Sequence, residues 1–179
     1  MSEKGGNGNG GGTGTHDITR DDLIGMLNED LAREFQAIIA YVNYSQVLKG
    51  AEYMAIAKEL EVHAGEELQH ALIICKQIDY LGGKPTVTPK PVKTSEKPQD
   101  MLRFDLDNEN ETIRNYRERV RQAESLGEYA MAESIRTILV QEQEHQIDLA
   151  TALNIEVPKE GLGNKSGAVN PVKESSTRR

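Results

Sequence analysis

A Glu-x-x-His motif occurs twice in this sequence, as Glu67–His70 and as Glu142–His145. On a helix, residues three apart share one face, so each motif presents a carboxylate and an imidazole together. A further glutamate, Glu34 or Glu109, precedes each motif by the same distance along the chain. All three elements of the first set therefore recur in the second set at one constant interval. The pattern predicts two helical hairpins that each supply one Glu and one Glu-x-x-His.

Apolar residues around these motifs recur in steps of three and four, the period of amphipathic helices. The first helix is predicted from Thr19, which forms a capping pair with Asp22, to about Gly50. The others are predicted over about 51–81, 98–126 and 128–154. The motif glutamates and histidines fall on the apolar seams, where leucine is the usual residue. We therefore predict an all-α fold, an antiparallel four-helix bundle with a long crossover between its second and third helices.

The crossover is predicted over residues 82 to about 97, which contain Pro85, Pro89 and Pro91 and cannot be helical. Such an extended stretch reaches about 50 Å, the length of the bundle, so the third helix could lie parallel or antiparallel to the second. The bundle is assigned to 19–156. Residues 1–18, rich in glycine, and 157–179 are predicted to be disordered tails.

The composition excludes several classes of protein. A net charge of −8 argues against general nucleic-acid binding and favours attraction of cations. A single cysteine rules out a disulfide framework and a Cys-based zinc site. The chain contains neither an apolar run of membrane-spanning length nor the apolar core of a secretion signal. We expect a cytoplasmic protein of one domain.

Four glutamates and two histidines on apolar seams predict a binuclear metal site. Buried carboxylates without partners are unfavourable, and four together repel one another. Two divalent cations would balance four negative charges. Carboxylate and imidazole ligands without thiolate suit iron or manganese, with zinc as a substitute. The predicted ligands are Glu34, Glu67, His70, Glu109, Glu142 and His145.

Several neighbouring residues are assigned lesser roles. Tyr41 and Tyr116 are related by the same interval as the two motifs. Each could be a core tyrosine bonded to a ligand carboxylate, or a redox-active residue that supplies an electron, for which Tyr41 is the better candidate. His63 lies one turn before Glu67 and is expected to hydrogen-bond to a ligand rather than bind metal. Glu66 is expected on the solvated face.

At this point the sequence resembles the bacterioferritins over about residues 21–154. The matching segments include Leu31–Ile38 with Tyr41, Glu67–Ala71, Leu81–Pro85, Met101–Leu106 and Glu142–His145. The resemblance implies a ferritin-like bundle in which the second and third helices run parallel. It also implies that Glu67 and Glu142 bridge two irons, that Glu34 and His70 complete one site, and that Glu109 and His145 complete the other.

The sequence departs from the bacterioferritin pattern in two places. The haem-ligating Met of that family follows the first bridging Glu, where this chain has Leu68, so no haem of that kind is predicted. The short fifth helix that helps to build the 24-subunit cage is not visible after the fourth helix. We expect a homo-oligomer, and a dimer, a 12-subunit shell and a 24-subunit shell all remain open.

The predicted function is a ferroxidase that oxidises Fe(II) with O2 or H2O2 and stores the product. One alternative is a dimeric rubrerythrin-like peroxide scavenger with iron or manganese, although the chain lacks rubredoxin cysteines. A second is a DNA-shielding protein that grips nucleic acid with its basic C-terminal tail. The overall negative charge makes that second alternative the weaker one.

Overall fold

The computed structural model describes residues 18–158, and the remainder of both predicted tails lies outside this range. It contains four long helices: α1 (Arg20–Val47), α2 (Met54–Tyr80), α3 (Pro98–Ser125) and α4 (Tyr129–Ala152). A single 3-10 turn, Ala51–Tyr53, leads into α2, where the sequence predicted α-helix. No strand occurs in residues 18–158, so the prediction of an all-α four-helix bundle is confirmed.

Local chemistry accounts for the helix ends. The Thr19 hydroxyl accepts a hydrogen bond from the Asp22 amide, and the Asp22 carboxylate accepts one from the Thr19 amide, which forms the predicted capping box. Pro98 occupies the first turn of α3, where its missing N–H leaves no bond unmade. Gly127, with a φ of +77°, allows the sharp reversal between α3 and α4.

Hydrogen bonds across the bundle define the helix directions. Tyr41 on α1 contacts Glu109 on α3, whereas the earlier Glu34 contacts the later Tyr116, so α1 and α3 are antiparallel. Short turns make α1 antiparallel to α2 and α3 antiparallel to α4. Helices α2 and α3 are therefore parallel, which decides between the two directions that the length of the crossover allowed.

The crossover reaches this arrangement by running along α1. The Thr86 amide donates to Asn28 Oδ1 at 2.7 Å, and the Lys90 amide donates to the Ala32 carbonyl at 2.8 Å. Further along, Gln36 Nε2 donates to the Pro91 carbonyl at 2.7 Å. The crossover therefore travels from the N-terminal end of α1 towards its C-terminal end, where α3 begins.

The core consists of two apolar clusters at opposite ends of the bundle. One contains Leu23, Leu27, Leu31, Ile74, Ile78 and Ile135. The other contains Tyr44, Leu60, Leu102, Leu106 and Leu149. On every helix the motif glutamate lies between the two clusters, so a polar layer is enclosed by hydrocarbon on both sides. None of the helices within residues 18–158 has an apolar stretch long enough to cross a membrane.

Candidate metal centre

Each helix contributes one glutamate to the polar layer, and α2 and α4 each add a histidine. All six predicted side chains lie in this layer, and each is at most 2% exposed. Donor atoms of Glu34, Glu67, His70 and Glu142 lie within 4.8 Å of one another, as do those of Glu67, Glu109, Glu142 and His145. Two sets of four donors therefore share Glu67 and Glu142.

Both histidines direct Nδ1 towards the carboxylates. His70 Nδ1 lies 3.1 Å from Glu67 Oε2, 3.1 Å from Glu142 Oε1 and 3.5 Å from Glu34 Oε2. His145 Nδ1 lies 3.1 Å from Glu67 Oε1 and 3.7 Å from Glu142 Oε2. The imidazoles and the shared carboxylates thus surround the same small volume.

The outer nitrogen of each histidine is held by the opposite helix. His70 Nε2 lies 3.0 Å from Gln141 Oε1, and His145 Nε2 lies 2.9 Å from Glu66 Oε2. Gln141 Nε2 also donates to Glu66 Oε1 at 3.1 Å, which joins the two partners. Glu66 keeps 31% of its side chain exposed and is partly solvated as predicted, but its contact with His145 was not predicted, and Gln141 was missed. The sequence did carry a signal, because each of these residues directly precedes a motif glutamate, and the interval that relates the two motifs also relates them.

Two tyrosines hold the remaining carboxylates in a symmetrical way. The Tyr41 hydroxyl on α1 donates to Glu109 Oε1 on α3, and the Tyr116 hydroxyl on α3 donates to Glu34 Oε1 on α1. Burial, and then the neighbouring carboxylates, raise the pKa of both phenols, so both remain protonated donors at neutral pH. Each tyrosine therefore fixes one carboxylate oxygen and leaves the other directed elsewhere.

Burial is the largest cause that raises the pKa of all four carboxyls in the metal-free protein. Repulsion between carboxylates adds to it, as between Glu109 and Glu142. Burial opposes ionisation of His145, but its contacts with Glu67 and the charge of Glu109 prevail and raise its pKa to about 9. Without metal, the layer therefore binds protons that a cation would displace.

The hydrogen-bonding state of the layer fits a pair of cations. Several buried ligand atoms form no hydrogen bond of normal geometry, even where an imidazole nitrogen lies 3.1 Å from a carboxylate oxygen: Glu34 Oε2, Glu67 Oε1, Glu109 Oε2, both oxygens of Glu142, and His145 Nδ1. Buried polar atoms are almost always paired, so such a concentration is unusual. A void of about 10 Å³ borders all four carboxylates. Oxygen and imidazole nitrogen are also the donor types that iron and manganese accept.

His63 lies beside this layer rather than within it. Its ring stacks on the His145 ring with centroids 4.1 Å apart, and its Nε2 lies 3.3 Å from Asp148 Oδ2. Burial, and then the charge of His145, lower the pKa of His63 to about 4, so the ring is neutral. The sequence predicted a hydrogen bond to a ligand, but the contact with the ligand is a ring stack.

A buried ion pair breaks the symmetry between the two halves. Asp30 on α1 is bound by Arg119 Nε at 2.6 Å, whereas Oδ2 of Asp105, at the matching position on α3, has no hydrogen-bond partner in the described part of the chain. Burial raises the pKa of Asp30 to about 6 despite Arg119, and it raises that of Asp105 well above its ordinary value. Tyr44 stands where repeat symmetry would place an arginine, which explains why Asp105 lacks the equivalent ion pair.

This fold and this set of side chains have known counterparts. A family model described as the ferritin-like domain matches residues 24–156. The chain belongs to the ferritin-like domain family.

Individual relatives narrow the assignment. The chain is 28% identical over 133 residues to the bacterioferritin of Desulfovibrio desulfuricans, covering 74% of each protein. The chain is also 33% identical to a chain in a crystal structure of ferritin-like, diiron-carboxylate proteins from Bacillus anthracis. That match covers 79% of this chain and 100% of the other, with a TM-score of 0.73. The dodecameric thioferritin of Bacteroides fragilis, a bacterioferritin-related protein, is 28% identical, with 77% and 88% covered and a TM-score of 0.71. Within the family this chain is a bacterioferritin-like member, and the family points to iron storage around a di-iron site.

Proposed function

We propose that this protein binds two iron ions in the polar layer and acts as a ferroxidase in iron storage and detoxification. One observation carries the proposal: two sets of four donor atoms share Glu67 and Glu142, and many of those buried atoms lack hydrogen bonds. In this proposal Glu34 and His70 complete one site, and Glu109 and His145 complete the other. When bound, each Fe(II) would supply one electron to O2 or H2O2. Manganese and zinc could occupy the same donors.

The protein's part is to keep the donors positioned and correctly protonated. Glu66 and Gln141 accept from the outer nitrogens of His145 and His70, which leaves each Nδ1 lone pair for metal. The apolar clusters on either side exclude water and strengthen the electrostatic attraction for cations. With four carboxylates and two neutral imidazoles, the layer would carry a charge that two divalent cations neutralise.

Tyr41 is our candidate for a residue that takes part in the redox reaction. It donates to Glu109, and its ring lies edge-on to His145 with centroids 6.0 Å apart. A phenol oxidised at this position could pass its proton to the carboxylate that already accepts its hydrogen bond. Tyr116 makes the equivalent contact with Glu34, but within residues 18–158 its ring does not pack against a histidine ring. The role in catalysis is therefore assigned to Tyr41 alone.

We also propose that the protein assembles as a homo-oligomer through the outer face of α1 and α2. The bond from Gln46 Nε2 to Glu61 Oε1 sets the antiparallel register of these helices, and it places Ile39 level with Leu68. Leu68 and Leu72 lie one turn apart on α2 and form an apolar stripe that is about half exposed, and Ile39 on α1 is exposed to a similar extent. Apolar stripes of this kind mark protein interfaces. Leu68 lies within the stripe and offers no ligand atom to haem iron.

Anaerobic titration with Fe(II), followed by addition of O2 or H2O2, tests the proposed activity. The wild type should oxidise two Fe(II) per chain rapidly, seen as ferric absorbance. Glu142→Ala should lose this phase, whereas Glu144→Ala, an exposed neighbour, should keep it. Equal oxidation by wild type and Glu142→Ala would count against a ferroxidase site. Light scattering on the same sample should give a multiple of the chain mass, and a dimer that prefers H2O2 would favour the peroxide-scavenging alternative.

A further inference from the structure

A second group of metal-binding side chains lies outside the six ligands. Donor atoms of Glu59, His63 and Asp148 lie within 4.8 Å of one another, between α2 and α4. His63 is only 1% exposed, its Nδ1 has no hydrogen-bond partner, and its Nε2 lies 3.3 Å from Asp148 Oδ2. None of these residues is needed to hold either proposed iron. The group therefore requires an explanation of its own.

Two members of this group, Glu59 and Asp148, line an open cleft of about 380 Å³. Its walls include three acidic residues, Glu52, Glu59 and Asp148, and no lysine or arginine among residues 18–158 lines it. Asp148 keeps 43% of its side chain exposed, and the exposed Glu59 forms no hydrogen bond or ion pair within the same range. Negative potential concentrated in a cleft raises the local concentration of cations. The buried His63 imidazole does not line the cleft, but it lies within 4.8 Å of Glu59 and Asp148, which distinguishes this group from an ordinary cluster of surface carboxylates.

We propose that Glu59, His63 and Asp148 bind one divalent cation, at a site separate from the dinuclear centre. One imidazole and two carboxylates suit Mn²⁺, Fe²⁺ or Zn²⁺, and the two negative charges balance the charge of the ion. Three protein donors, two of them on an open cleft, leave positions for water, so the bound ion can exchange with solvent.

The site lies beside the dinuclear centre, because the His63 ring stacks on His145 at 4.1 Å. A cation held here would be positioned to move inward, and we assign the site as a holding place for iron on its way to the centre. This assignment of role rests on the proposed ferroxidase function. The binding of a cation by Glu59, His63 and Asp148 does not depend on it.

Titration of the metal-free, full-length protein with Mn²⁺ tests the proposal, with free Mn²⁺ followed by electron paramagnetic resonance. The wild type should bind three ions per chain, and Asp148→Asn should bind two. Asn keeps the size of the side chain and can still accept from His63. The matched control is Glu144→Gln, an exposed carboxylate one turn earlier on α4, which should still bind three ions.

Glu59→Gln provides a second test, because an exposed side chain can be changed without disturbing the core. It should weaken the third ion at least about tenfold, a difference of roughly 1.4 kcal/mol. The proposal is wrong if both variants bind the same number of ions as the wild type at the same affinity. A fall in melting temperature of Asp148→Asn without loss of an ion would show a structural contact only. A single wild-type ion that Asp148→Asn removes would instead support this site and contradict the dinuclear one.

Discussion

Glu109→Gln should raise the free energy of unfolding of the metal-free protein and reduce the stabilisation that bound metal adds. Glu109 Oε1 accepts from Tyr41, but Oε2 forms no hydrogen bond of normal geometry, and neither does either oxygen of Glu142. Burial, and then repulsion from Glu142, disfavour ionisation of Glu109. The amide would keep the acceptor for Tyr41, stay neutral without having to bind a proton, and add a donor for Glu142.

The expected magnitude follows from these contacts. A buried hydrogen bond to a charged acceptor contributes about 2 kcal/mol, which for a domain of this size corresponds to a rise in melting temperature of roughly 6 °C. Added metal should stabilise the wild type more than the variant. One site at a free concentration of 100 times its Kd adds about 2.7 kcal/mol, so two sites add roughly twice that to the wild type. The variant should lose half of this gain or more, because the amide is a poorer ligand.

Differential scanning calorimetry checks both effects, first with chelator and then with Mn²⁺, at one protein concentration. Glu111→Gln is the matched control, since this residue lies on the same helix and pairs with Arg33 near the surface. Its loss should change the free energy of unfolding by less than about 1 kcal/mol in either condition. A lower melting temperature for metal-free Glu109→Gln, or an undiminished gain with Mn²⁺, would refute the reasoning.

Three further predictions concern redox chemistry, stability and pH. Tyr41→Phe should slow iron oxidation and abolish any tyrosyl radical signal in rapid-freeze spectra while both ions of the polar layer still bind, and Tyr116→Phe should keep the signal. Asp30→Ala leaves Arg119 buried without its partner and should cost about 3 kcal/mol in urea unfolding. The folded pKa of Asp30, about 6, exceeds its ordinary value of 3.8, so its contribution to stability is largest at low pH and is lost as pH rises through 6. The metal-free protein should therefore be less stable at pH 8 than at pH 5, by about 1.4 kcal/mol from Asp30 alone. Saturating Mn²⁺ should reverse this order, because it displaces protons from the carboxyls of the polar layer, whose pKa values are raised.

The convergence of the six side chains could be predicted because helix geometry converts sequence spacing into position. Glu34, Glu67, Glu109 and Glu142 fall on apolar seams, and the seam of a bundle must face inward. The same reasoning predicted the capping box at Thr19, since Ncap chemistry depends on residues three apart.

The remainder depended on how the helices cross. The length of the crossover permitted either direction for α3, and the hydrogen bonds between α1 and α3 decided between them. Glu66 and Gln141 lie at the margin of the seam, where the rotation of α2 against α4 decides whether a side chain reaches a histidine or solvent. No spacing along the sequence predicts that His63 stacks on His145, because the two residues lie on different helices.

The most direct test of the central claim is a crystal structure of the protein soaked anaerobically with Fe(II), with diffraction data collected on both sides of the iron absorption edge. We expect two anomalous peaks in the polar layer, both in contact with Glu67 and Glu142, one also bound by Glu34 and His70 and the other by Glu109 and His145. A single peak, or density for iron only on the protein surface with the six side chains unchanged, would contradict the account.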